Sequence, residues 1–211
     1  MPSKAPLPKG PITALPGHGN YLALTIDDGV RSDVVGAYIK FAQDTGARFT
    51  FFVTGVYKSW TDHRSSLAPL VESGQIQLGN HTWTHPSLTS LSESAIADQL
   101  NRNKRFLQNT FGVDGTPFYR PPYGHRNAAV DRVAADQGYT ASTMWYGTLG
   151  DERVLREQDI IANARTYFRQ QAVVIGHANH PAVTHIYPQL TEIIRERKLT
   201  MVTLDDYFVT G

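Results

Sequence analysis

The sequence has no cysteine. That excludes a disulfide framework and thiolate metal ligands, so any bound metal must be held by His, Asp or Glu. An excess of charge of one sign is also lacking, because 20 Lys and Arg stand against 19 Asp and Glu for a formal net charge of +1. No global field then draws the chain to nucleic acid or to an anionic membrane, and any partner must be sought in local features. No run approaches the ~18 consecutive apolar residues of a membrane span. The opening residues Met1 to Pro6 lack the apolar core of a secretory signal, as in a mature chain whose targeting segment has been removed. What is present is 211 residues, 41% hydrophobic and 18% charged, enough for one sizeable core and, as expected here, a monomeric single domain.

Residues 1–19 are rich in proline and glycine and read as an extended arm on the surface, ahead of a catalytic domain at 20–211. From Tyr21 onward, short β-rich runs alternate with stretches of helical period. Strands are expected at 21–27, 49–53, 75–79, 117–120, 139–145, 172–177 and 200–204. Helices are expected at 32–44, ending at 67–73, and at 92–111, 127–137, 157–170 and 187–197. Glycines 74 and 112 serve as stops. About seven β/α units predict parallel strands with crossover helices, in a distorted (β/α)7 barrel resembling a TIM barrel. A doubly wound open sheet is the alternative. Either architecture gathers functional residues at the carboxyl ends of the strands.

The conspicuous polar residues fall there. Asp27 and Asp28 end the first strand, His81 and His85 follow the third, Arg120 to Tyr123 the fourth, Trp145 the fifth and His177 the sixth. Asp28-Gly29 alone is also a common turn dipeptide. Adjacent carboxylates can nevertheless divide labour, one binding a metal and the other taking a proton. His81 and His85 stand four residues apart, within reach of one ion. With Asp28 they offer two imidazoles and a carboxylate, leaving positions open as catalytic zinc requires. Cobalt and nickel suit the same set. Thr82 follows His81 where a metalloprotease helix would carry Glu, so a base must come from elsewhere, and Asp27 is nearest. His177 is either a buried structural histidine or a general acid, with His180 and His185 as rivals or solvated loop residues. His18, His63 and His125 read as surface.

Together these motifs resemble the polysaccharide deacetylase family (the NodB homology domain, carbohydrate esterase family 4). Thr25-Ile26-Asp27-Asp28-Gly29, His81-Thr82-Trp83-Thr84-His85, Arg120-Pro121-Pro122-Tyr123-Gly124 and Ile175-Gly176-His177 are similar to four of its motifs. Arg48 to Val53 is similar to its second strand. Trp145 with Asp151 resembles the remaining motif, from which Glu152 departs. The resemblance runs from residue 21 to 208. It implies Asp28, His81 and His85 as metal ligands, Asp27 as base with Arg120 paired to it, and His177 as acid tuned by Asp151. It further implies that Trp145 and Ile175 line an acetyl pocket and that the Tyr123 backbone N–H helps to hold the oxyanion. The implied substrate is an acetylated polysaccharide of chitin or peptidoglycan type, placing the protein outside the cell or in the cell wall. An acetylxylan esterase on the same site, a non-haem iron oxygenase and a carbohydrate-binding protein that has lost catalysis are the other readings.

Overall fold

The computed structural model describes residues 2–210. The first strand, β1 (Tyr21–Asp28), is buried along almost its whole length, as an apolar run covered on both faces must be. Leu22, Leu24 and Ile26 face the main core under the helices, whereas Ala23 joins a second cluster inside the sheet. Helix α1 (Ser32–Thr45) follows, stopped by left-handed Gly46, then β2 (Phe49–Val53). Two helices, α2 (Ser59–Asp62) and α3 (Arg64–Glu72), precede β3 (Ile76–Asn80). The longest helix, α4 (Glu93–Phe111), is capped by the Ser92 hydroxyl at one end and left-handed Gly112 at the other.

The second half holds shorter strands: β4 (Phe118–Tyr119), β5 (Ala141–Ser142) and β6 (Gly147–Thr148), with α5 (Ala128–Asp136) before β5. Then come α6 (Glu157–Tyr167), β7 (Ala172–His177), α7 (Tyr187–Glu196), β8 (Thr200–Met201) and α8 (Leu204–Tyr207). The sheet order is β5-β4-β3-β2-β1-β7-β6, with β8 paired to β1. Every strand pair is parallel. This is the expected α/β distorted barrel, with the strand ends of β1, β3, β4 and β7 at one mouth.

Three expectations need refinement. The arm is extended and mostly exposed, but two of its side chains turn inward: Ile12 is 1% and Leu15 3% exposed, both within the inner cluster. Ile12 N–H donates to Ser142 O (2.8 Å), Met144 N–H to Ile12 O (2.7 Å) and Leu15 N–H to Gln171 O (2.8 Å). The arm thus runs between β5 and the start of β7, satisfying backbone groups there that would otherwise be exposed. For the same reason the strand expected at 139–145 shrinks to β5, since residues 143–144 pair with the arm, and β6 lies beyond it. The strand expected at 200–204 ends at Met201, because Thr203 and Asp206 form a capping box that starts α8.

Candidate active site

In a regular strand, neighbouring side chains point to opposite faces. Asp27 and Asp28 escape this because Asp28 has φ 72 and Gly29 φ 90. The turn brings both carboxylates to the mouth. Glycine is required at position 29, where a Cβ would lie 2.3 Å from the Trp60 ring in a left-handed backbone. The β3 loop is bent in the same way, with Thr82 at φ 72 and His85 at φ 61. A β-branched residue in that region is strained by roughly 1–3 kcal/mol and needs outside support. Asn80 supplies it, its Oδ1 accepting from Thr82 N–H (2.8 Å) and from Asn103 Nδ2 (2.9 Å).

The strained loop sets His81 Nε2 3.2 Å and His85 Nε2 3.1 Å from Asp28 Oδ1. His81 Nδ1 lies 2.7 Å from Arg120 O. A carbonyl can only accept, so Nδ1 carries the proton and Nε2 presents a lone pair. Asn179 Nδ2 donates to Asp28 Oδ2 (2.6 Å), leaving Oδ1 buried with no hydrogen-bond partner. The ligand atoms of Asp28, His81 and His85 lie within 4.8 Å of one another. An orphaned buried carboxylate oxygen facing two imidazole nitrogens fits a divalent cation of zinc type. Burial pushes the Asp28 carboxyl up, but the facing imidazoles of His81 and His85 outweigh it and hold the carboxyl far below the usual carboxylate range.

Beside this set, the buried Arg120 reaches across the barrel over the Phe52 ring, 4.4 Å from its centroid. It donates to Asp27 Oδ1 (2.6 Å), Thr25 Oγ1 (2.9 Å), Thr143 O (2.9 Å) and Met144 O (3.0 Å). One Asp27 oxygen is thereby tied down, while Oδ2 stands 3.5 Å from His81 Nε2. His177 is the register neighbour of Asp27 on β7, and its Nδ1 lies 3.1 Å from Asp151 Oδ1. Burial pushes His177 down, but the Asp151 hydrogen bond and the Asp27 charge overcome it and raise the imidazole to about 9.

A cleft of about 580 Å³ collects Asp27, Asp28, His81, His85, Tyr123, Trp145, Ile175 and His177. Arg120 and Asp151 lie behind it. Tyr123 is 64% exposed at the rim, its ring 4.7 Å from that of His85. A larger cleft, about 710 Å³, opens at the other end of the strands beside Arg48 and Asp205 and contains none of these residues. Sequence reasoning missed Asn179, Asn80 and Asn103. Asn179 stands two residues beyond His177, and only that proximity could have signalled it. His63, read as surface, is half-buried, with Nε2 2.7 Å from Ser32 O.

A model of the polysaccharide deacetylase family matches residues 15–142, and the chain belongs to that family. A chitin deacetylase from Pestalotiopsis sp. is 29% identical over 192 residues, covering 88% of this chain and 62% of its own. The chain thus spans less than two thirds of that relative. Among solved structures, a peptidoglycan N-acetylglucosamine deacetylase superposes with a TM-score of 0.84 at 20% identity, over 95% of this chain and 93% of the other. A family 4 pseudoenzyme from Bacillus anthracis also shares the fold, with a TM-score of 0.80 at 20% identity over 96% and 72%.

Proposed function

We propose that this protein is a metal-dependent hydrolase that removes acetyl groups from N-acetylglucosamine-containing polysaccharide or oligosaccharide of chitin or peptidoglycan type. The observation that carries this reading is the convergence of Asp28 Oδ1, His81 Nε2 and His85 Nε2 beside an Arg120-tethered Asp27, with His177 on the neighbouring strand. The chitin and peptidoglycan deacetylase relatives favour the same substrates. The ligand set suits zinc, with cobalt or nickel as substitutes. When bound, the ion would supply Lewis acidity that polarises the acyl carbonyl and acidifies water.

The remaining steps belong to the protein. Asp27 Oδ2, the oxygen that Arg120 does not tie down, takes the proton from the attacking water. The Tyr123 backbone N–H helps to stabilise the oxyanion. His177, kept protonated by Asp151 and Asp27, delivers a proton to the departing amine, which is a poor leaving group until protonated. Trp145 and Ile175 form the apolar wall against the acetyl methyl. Such polymers lie outside the cell or in its wall, and the protein would act there; no helix among the described residues is long and apolar enough to cross a membrane.

The test is acetate release from N-acetylglucosamine oligomers and from acetylated xylan, using metal-stripped protein with and without zinc or cobalt. Metal-dependent release from the oligomers that disappears in Asp27→Ala is expected. Release from xylan alone would replace the amide reading by an esterase. Release from neither would place the chain with the family's pseudoenzymes.

A further inference from the structure

Behind His177, on the helix side of the sheet, three buried oxygens have no protein hydrogen-bond partner: Tyr38 Oη, Tyr187 Oη and Asp151 Oδ2. They come from α1, α7 and the loop after β6, yet they share one region. The Tyr38 and Tyr187 rings lie 5.3 Å apart between centroids. A Cβ on Gly176 would be 3.5 Å from Asp151 Oδ2 and 3.1 Å from Ile26 Cδ1, and Ile26 belongs to the same core cluster as Tyr38. Burial pushes both phenols up, and the nearby Asp151 charge adds to the shift in each.

Unpaired buried polar groups are rare because each loses its hydration without replacement. Three in one region, two phenols that both donate and accept and one carboxylate oxygen that only accepts, match the roughly two to four partners of an internal water. We propose that Tyr38 Oη, Tyr187 Oη and Asp151 Oδ2 hold one internal water, making Tyr38 and Tyr187 positioning residues for the Asp151–His177 pair. The water donates one hydrogen to Asp151 Oδ2 and the other to one phenol oxygen, and accepts the remaining phenol O–H. With Oδ2 fixed, Oδ1 stays on His177 Nδ1 and the imidazole keeps its Nε2 turned away from Asp151. The other charges facing the pair are Asp27 and Asp28 on β1 and, in the cleft wall, Glu152. Changing the phenols leaves those three in place.

The catalytic part of this proposal rests on the functional reading above; the water site does not. Tyr38→Phe, Tyr187→Phe and the double variant keep the rings and remove the hydroxyls. The full-length chain, in one fixed metal state, is titrated by NMR at His177. Loss of a donor to Asp151 makes the pair more basic, so His177 should move up by about half a unit or more. A high-resolution crystal structure should show water within hydrogen-bond distance of all three oxygens. In acetate release, kcat should fall about three- to tenfold with KM within about twofold. The double variant should be no worse than the worse single, because both phenols serve one water. A dry region in the crystal, with unchanged His177 titration and a raised unfolding midpoint in the Phe variants, would overturn the proposal. If the wild-type chain releases no acetate, the functional reading fails while the titration and the crystal still decide the water site.

Discussion

Replacing Arg120 by Met tests how the barrel interior holds a charge. Arg120 is fully buried and makes four hydrogen bonds, one of them the 2.6 Å contact that neutralises buried Asp27. Methionine fills similar space but leaves the carboxylate without its hydrogen-bonded counter-charge and the carbonyls of Thr143 and Met144 without a donor. Breaking one side of a buried pair costs about 3–5 kcal/mol. In a domain of this size that lowers the thermal midpoint by about 6–20 °C, at about 2–4 °C per kcal/mol. The companion Asp27→Asn/Arg120→Met variant has no charge left to strand and should recover about 2 kcal/mol. Urea unfolding of metal-stripped protein at pH 7, with the slope checked for constancy, measures all four corners of the cycle. A single-variant cost under about 1 kcal/mol, or a double variant as unstable as the sum of the singles, would refute the view that Arg120 is there to hold Asp27.

Other outcomes follow from the same geometry. Because the folded His177 is raised from 6.5 to about 9, its contribution to stability, up to about 3 kcal/mol, is complete below pH 6.5 and lost as pH rises through about 9. A His177→Gln variant should lack that alkaline decline in urea unfolding. Metal-stripped protein should take up one zinc ion per chain by titration calorimetry. At about a hundred times its dissociation constant, zinc should add about 2.7 kcal/mol to stability, a gain absent from Asp28→Ala. Ile12→Ala should cost about 2–5 kcal/mol in urea unfolding, whereas an exposed side chain of the arm would lose less than about 0.5.

Much of this was legible in the residues themselves. The apolar runs of β1, β2 and β7 mark strands buried on both faces, and Asp28, His81 and His85 stand out because polar groups at strand ends have no packing reason to be there. The shortening of 139–145 to β5 could not be read, since nothing local in that segment says that Ile12, some 130 residues earlier, will take its backbone hydrogen bonds. Asn80 and Asn103 were equally silent, because amides that brace a strained loop look like any others until the loop's φ angles are known. Tyr38 and Tyr187 sit at helical spacings that read as core, and only their unpaired hydroxyls set them apart.

The docking of Ile12 and Leu15 also governs the order of assembly. On the ribosome, these residues emerge long before the partners they need at Ser142, Met144 and Gln171. Until those arrive, the arm is an apolar strand with nothing to pair with, and the growing sheet has two open edges that invite other chains. Closing the arm requires the longest-range contacts of the fold and should come among the last events of folding. A slow final step, abolished by deleting residues 2–15 and accompanied by aggregation, would be its kinetic signature.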